Sequence, residues 1–146
     1  MNSIREAWIA LDTNEFLFSI DPPPGRESCR ELIFDGIAGL HVFVPLQVSL
    51  ELQRNLSPVN LRKLIRAVNG IAEVRWDFTP AENDAVRRFE GLGARKGDAV
   101  IAAQLEQSDI SFLISENRHF LAEVHGLPFQ VLSAADLLQI LPEKTF

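Results

Sequence analysis

The chain has 146 residues, 47% of them apolar and 23% charged, and its 20 acidic against 14 basic side chains leave a formal charge of −6. That balance excludes disorder, collagen and coiled coil, and it disfavours coating nucleic acid by charge alone, though not holding a metal ion with acids. A lone cysteine, Cys29, excludes an intramolecular disulfide framework and the Cys-rich zinc folds.

Short β-branched runs alternate with longer helical patterns along the chain, the signature of a parallel sheet covered by helices. The start, MNSIREAWIAL, offsets Arg5 with Glu6 and has no long apolar stretch, so no signal peptide is expected. No run approaches the roughly 20 apolar residues that span a bilayer. The expectation is a protein of the reducing cytoplasm, with no membrane partner. Ala7 to Leu11 reads as the first strand, stopped by the capping triplet Asp12-Thr13-Asn14. A short buried helix carrying Phe16, Leu17, Phe18 and Ile20 follows, ended by Asp21-Pro-Pro-Pro-Gly25.

Glu27 to about Leu40 has the helical spacing Cys29, Ile33, Ile37, Leu40, and Cys29 is read there as core. His41 to Val44 is the second strand, closed by Pro45 at a first helical position. Leu46 to Leu56 is a helix carrying Glu51. Ser57-Pro58 caps another, with Leu61, Leu64, Ile65, Val68 and Ile71 on its apolar side and Arg62, Lys63 and Arg66 opposite. Glu73 to Trp76 is the third strand, and Thr79-Pro80-Ala81-Glu82 reads as a capping box for a helix through Glu90. The glycine-rich Gly91 to Gly97 reads as a flexible loop; it is no GxGxxG motif, since Lys96 stands at its sixth position.

Asp98 is expected to open a helix whose Ala99 to Ala103 run is apolar all round and so buried. Phe112 to Ile114 is the fourth strand, Asn117 to Val124 a short helix and Phe129 to Leu132 the fifth strand. Ser133-Ala-Ala-Asp136 caps a last helix that fades at Pro142.

In open parallel sheets ligands bind beyond the carboxyl ends of the strands, where strand order reverses. The residues that would meet there are Asp12, Asp98, Ser115-Glu116-Asn117 and, from one side, Glu51. Singly, Asp12, Asp98 and Asn117 are equally helix caps and Glu51 a surface carboxylate; their joint placement is what points to a site. Three carboxylates about 5 Å apart repel by roughly 3 kcal/mol per pair at an effective dielectric of 20. Such a cluster persists only if protons stay on or a cation fills it. Oxygen ligands without histidine or cysteine favour Mg²⁺ or Mn²⁺, whose natural reaction here is phosphodiester hydrolysis. His41, His119 and His125 show no ligand spacing.

Leu11-Asp12-Thr13-Asn14, Glu51, Lys96-Gly97-Asp98-Ala99 with Ile101-Ala102-Ala103, and Ser115-Glu116-Asn117-Arg118-His119-Phe120 together resemble a PIN domain. The resemblance is nearer still to the VapC-type toxin ribonucleases of bacterial and archaeal toxin–antitoxin pairs, and it runs from Asp12 to the final helix. It implies one PIN-like nuclease domain over residues 1–146, a three-layer α/β/α sandwich around a five-stranded parallel sheet. It also implies a Mg²⁺- or Mn²⁺-dependent endoribonuclease, a homodimer, and an antitoxin that blocks the site. By position, Asp12, Glu51 and Asp98 are then the acidic metal ligands, supported through hydrogen bonds by Asn14 and Ser115.

The fourth catalytic position, aspartate in many members, is Asn117 here, with Glu116 beside it as a possible substitute. An amide oxygen can ligate or orient a water but adds no charge, which weakens a second metal. Arg118 beside the site, with Lys96 and Arg54, would meet RNA phosphates, while the Arg54, Arg62, Lys63, Arg66 face reads equally as solvated. Two other functions compete. A phosphatase with an aspartate nucleophile would show Asp-x-Asp, where this chain has Asp12-Thr13-Asn14. A catalytically weak or inactive module that binds RNA or protein would accommodate Asn117 but has no use for three acids.

Overall fold

Five short strands pair into one all-parallel sheet: β1 (Trp8–Leu11), β2 (His41–Val44), β3 (Glu73–Trp76), β4 (Phe112–Ile114) and β5 (Gln130–Leu132), in the order β3-β2-β1-β4-β5. This computed structural model describes residues 4–141. Met1 to Ser3 and the expected fading of the last helix at Pro142 lie outside the described residues. Ile9 of the central strand pairs with Val42 on one side and Phe112 on the other. Parallel strands joined by helical crossovers have both faces covered, which is why Ile9, Ala10 and Leu11 are fully buried with no polar alternation.

The helices are α1 (Thr13–Ile20), α2 (Glu27–Glu31), α3 (Leu46–Asn55), α4 (Pro58–Ile71), α5 (Asn83–Gly91), α6 (Lys96–Gln107) and α7 (Ala134–Ile140). With the sheet between them they make the three-layer α/β/α sandwich that the sequence predicts. α1 packs on α2 and α3, α3 also on α6, and α2 on α7. Helix α6 is largely enclosed: Ala99, Ile101, Ala102, Ala103 and Leu105 are all buried, as its apolar run requires. Ser57 and Ser133 form the caps read from sequence, Ser57 accepting from the Asn60 N–H and Ser133 from the Asp136 N–H, each at 3.1 Å. No helix among the described residues is long and apolar enough to cross a membrane.

Several elements differ from their expected form. The helix expected over residues 27–40 is α only to Glu31, then widens into a π-helical turn, Leu32–Gly36. The wider turn lets Leu32, Ile33 and Ile37 all reach the core. Gly36 packs closely beside it: a Cβ there would lie 2.7 Å from a Leu138 methyl of α7, which would have to shift. Pro45 is the cap of α3 and not its first residue, and Asp98 is the third residue of α6, after Lys96 and Gly97. In α4 only Leu64 and Val68 of the predicted apolar stripe are fully buried. The segment expected to be a short helix from Asn117 is a π-helical turn, His119–Glu123.

The Thr79 capping box does not form; α5 begins at Asn83 with Glu82 as an uncapped start. The Thr79 backbone N–H and hydroxyl turn to the Asp77 carboxylate, at 3.3 and 3.4 Å. Two glutamines of α6 then strap the extended segment. Gln107 donates to the Pro80 carbonyl and accepts from the Glu82 N–H, while Gln104 donates to the Thr79 carbonyl. Tertiary hydrogen bonds outweigh a local capping preference worth about 1 kcal/mol.

Candidate active site

The chain runs from β1 outward to β3 and returns for β4 and β5 on the other side, so strand order reverses between β1 and β4. The carboxyl ends of these two strands carry Asp12 and Ser115. The crevice expected at such a reversal therefore opens on those residues.

Asp12 is the N-cap of α1, its Oδ1 accepting the Thr13 N–H at 2.8 Å. Its Oδ2 accepts the hydroxyl of Ser115, which is fully buried, at 2.7 Å, a bond from the end of one strand to the end of its neighbour. Burial raises the Asp12 carboxyl to about 6. The Ser115 and Thr13 hydrogen bonds oppose that rise, and the charges of Asp98 and Glu51 add to it. The half-buried Asp98, in the first turn of α6, is also raised. Desolvation is the main cause and Glu51 adds to it; the Asn117 hydrogen bond, His119 and Arg95 pull the other way.

Glu51 reaches the same place from α3. Its Oε1 accepts the Thr13 hydroxyl at 2.5 Å and its Oε2 the Gln47 amide at 2.8 Å, one turn back on the same helix. Gly97 stands against it, since a Cβ there would meet Glu51 Oε2 at 3.5 Å. None of the three acids joins an ion pair among the described residues, although Asp12 feels the charges of Asp98 and Glu51, and Asp98 that of Glu51. Fixed acids that repel one another suit a cation.

All the donor atoms are oxygens, which fits Mg²⁺ or Mn²⁺. Among the described residues, however, the group of three whose ligand atoms lie within 4.8 Å of one another is Glu15, Cys29 and Glu116, not these acids. Asp12, Glu51 and Asp98 are thus spread more widely than the inner shell of one bare ion. An ion held among them would keep waters in its shell, as Mg²⁺ characteristically does.

Asn117 is tied at both ends: its amide nitrogen donates to Asp98 Oδ2 and its oxygen accepts the His119 N–H, each at 3.0 Å. Its own N–H donates to the Ser115 hydroxyl at 3.0 Å. Glu116 turns away from the three acids; its Oε2 accepts the Ala134 N–H at the start of α7 at 2.9 Å, and its Oε1 faces Arg26 at 3.7 Å. Asn14 is half-buried in the first turn of α1, and its side chain makes no hydrogen bond among the described residues. Arg54, Lys96 and Arg118 are exposed.

Sequence reasoning missed the groups that hold the acids. Thr13 lay inside the quoted Asp12-Thr13-Asn14 triplet, and Gln47 is four residues before Glu51, a spacing that places both on one helix face. Nothing local marks Gln104, whose Oε1 accepts the Gln47 N–H at the head of α3 at 3.0 Å. Nor does anything local mark His119, whose Nε2 lies 2.6 Å from the Gly93 carbonyl and so ties the loop before α6 to the turn after β4.

No protein-family profile matches the sequence, and comparison with curated proteins finds no match. Solved structures do match in fold. The FitAcB structure from Neisseria gonorrhoeae superposes with a TM-score of 0.53 at 17% identity, over 87% of this chain and 98% of its own. PAE2754 from Pyrobaculum aerophilum gives a TM-score of 0.53 at 15% identity, over 94% of this chain and 96% of its own. The shared architecture is PIN-like.

Proposed function

We propose that the chain is a metal-dependent endoribonuclease in which Asp12, Glu51 and Asp98 hold a hydrated Mg²⁺ or Mn²⁺. The observation that carries this reading is the meeting of three acids, from the end of β1, from α3 and from α6, at the reversal of strand order, each hydrogen-bonded by neutral donors. When bound, such an ion lowers the pKa of a coordinated water and takes up charge on a phosphodiester oxygen.

The chain's own residues supply rigidity and placement. Ser115 and the Thr13 N–H fix one oxygen each of Asp12, leaving further lone pairs on both. Thr13 and Gln47 fix Glu51. Asn117 is a positioning residue, since its amide nitrogen sets Asp98 and its oxygen is engaged by His119. The first-turn N–H groups of α6 and the exposed Lys96 and Arg118 beside the acids would receive RNA phosphates, with Arg54 further along α3. The PIN-like fold supports a place in a toxin–antitoxin pair of the cytoplasm, as one domain over the chain, acting as a homodimer that its antitoxin silences.

The test is cleavage of a panel of single-stranded and structured RNAs by the purified chain with Mn²⁺, with EDTA, and with Asp98→Asn. Chelator-sensitive cleavage lost in the variant is expected. Failure of the wild-type chain to cut any RNA of the panel would leave an RNA- or protein-binding module, the reading that the uncharged Asn117 favours.

A further inference from the structure

Glu15 lies in the first turn of α1, where a carboxylate would ordinarily face solvent. It is instead fully buried, and neither of its oxygens has a hydrogen-bond partner. Leaving a buried polar group unsatisfied is costly, and a charged one more so. Two other groups come to the same point. The Cys29 thiol of α2 is fully buried, and Glu116, after β4, is held by the Ala134 N–H and has a side chain only 6% exposed. One possible ligand atom from each of the three residues lies within 4.8 Å of the other two.

We propose that Glu15, Cys29 and Glu116 form a second cation site, chemically different from the Asp12, Glu51, Asp98 centre, which takes a borderline divalent ion such as Zn²⁺ through two carboxylate oxygens and a thiolate. The thiolate selects against Mg²⁺ and Mn²⁺, and the mixed oxygen and sulfur set is one zinc accepts. Tetrahedral zinc with bonds of about 2.0–2.3 Å places its ligand atoms about 3.3–3.8 Å apart. The cluster therefore needs to close only slightly. Binding releases the thiol proton, and any proton on Glu15, to solvent, and gives the unpartnered Glu15 oxygens the counter-charge they lack. Arg26, 3.7 Å from Glu116 and 40% exposed, is free to swing outward as the ion enters. A bound ion would pin α1 and α2 to the end of β4, three residues along α1 from Asp12.

Cobalt reports on the site directly, because Co²⁺ bound to thiolate gives a near-ultraviolet charge-transfer band and Cys29 is the chain's sole cysteine. The full chain, stripped with chelator, is titrated with Co²⁺ and then Zn²⁺. The band should appear in the wild type and persist in Asp98→Asn. It should vanish in Cys29→Ser, need at least tenfold more Co²⁺ in Glu15→Gln, and be displaced by Zn²⁺. Saturating Co²⁺ with no thiolate band in the wild type would overturn the proposal and make Glu15 a neutral acid sharing a proton with Glu116. That reading needs no variant to fold. Zn²⁺ should also protect the wild-type thiol from alkylation, and an unchanged alkylation rate would equally overturn the site. Neither result depends on ribonuclease activity.

Discussion

Asn117 donates its amide nitrogen to Asp98 Oδ2 at 3.0 Å, joining the loop after β4 to the first turn of α6 across the crevice. A carboxylate at the same position could accept from His119 as Asn117 does but could not donate to Asp98. The bond that lowers the Asp98 carboxyl would become a repulsion that raises it.

Asn117→Asp should therefore destabilise the metal-free chain and increase the stabilisation that Mn²⁺ gives. Two charges 4 Å apart interact by about 4 kcal/mol at an effective dielectric of 20, and the half-exposed position of Asp98 reduces that. Thermal melts with and without Mn²⁺ on the wild type, Asn117→Asp, Asp98→Asn and the double variant form a cycle, and both effects should shrink once Asp98 is neutral. Unmoved melting temperatures in both conditions would make Asn117 only the cap of the turn that follows.

Glu51 depends on two neighbours, so Thr13→Val should release one of its oxygens at nearly constant volume. Loss of such a hydrogen bond costs about 1–2 kcal/mol, and groups that orient metal ligands typically carry a 10–100-fold effect on affinity. Calorimetry with Mn²⁺ should show weaker binding in Thr13→Val and near wild-type binding in Thr13→Ser. Equal affinities in all three chains would detach Thr13 from the site.

Gln104 is the structural counterpart, bridging the Gln47 N–H at the head of α3 and the Thr79 carbonyl while itself 2% exposed. Gln104→Leu leaves both backbone groups without their side-chain partner, at about 1–3 kcal/mol. For a chain of this size that is a fall in Tm of about 3–5 °C per kcal/mol. An unshifted Tm would show that water replaces the amide at both groups.

The sheet was legible because the strands are short runs bounded by turn or capping residues, largely apolar except in β3 with its Glu73 and Arg75, and Ser57 and Ser133 announce their helices through interactions within three residues. The meeting of Asp12 with Ser115 was legible only through a topological rule, since their contact spans most of the chain. What stayed hidden was set by tertiary partners. Thr79 had the right neighbours for a cap, but Asp77 and the glutamines of α6 took its segment. Residues 27–40 kept their apolar spacing while the helix widened into a π-helical turn that brings Gly36 against Leu138. Glu15 gave no signal at all; a glutamate in a helix's first turn has the favourable charge for that place, and only the packing of α2 and of the loop after β4 over it makes it a buried group.

That burial sets the last prediction. Desolvation raises the Glu15 carboxyl to about 10, with Glu116 and Asp12 adding to the rise. An ordinary glutamate in the unfolded chain titrates near 4.3. Below that value both states carry the proton and Glu15 does not alter the balance. As pH rises, the unfolded chain releases the proton while the folded chain keeps it, so stability falls, by about 1.4 kcal/mol per pH unit, until the folded pKa is passed. Asp12, raised to about 6, acts in the same direction over a narrower, more acidic window. Urea unfolding in EDTA at pH 5, 6.5 and 8 should show the wild type losing stability with rising pH. Glu15→Gln carries no such proton and can donate its amide to Glu116; it should lose much less, so that the two chains diverge most at pH 8. Parallel stability curves for the two chains across that range would mean that Glu15 ionises in the folded protein much as it does in the unfolded one.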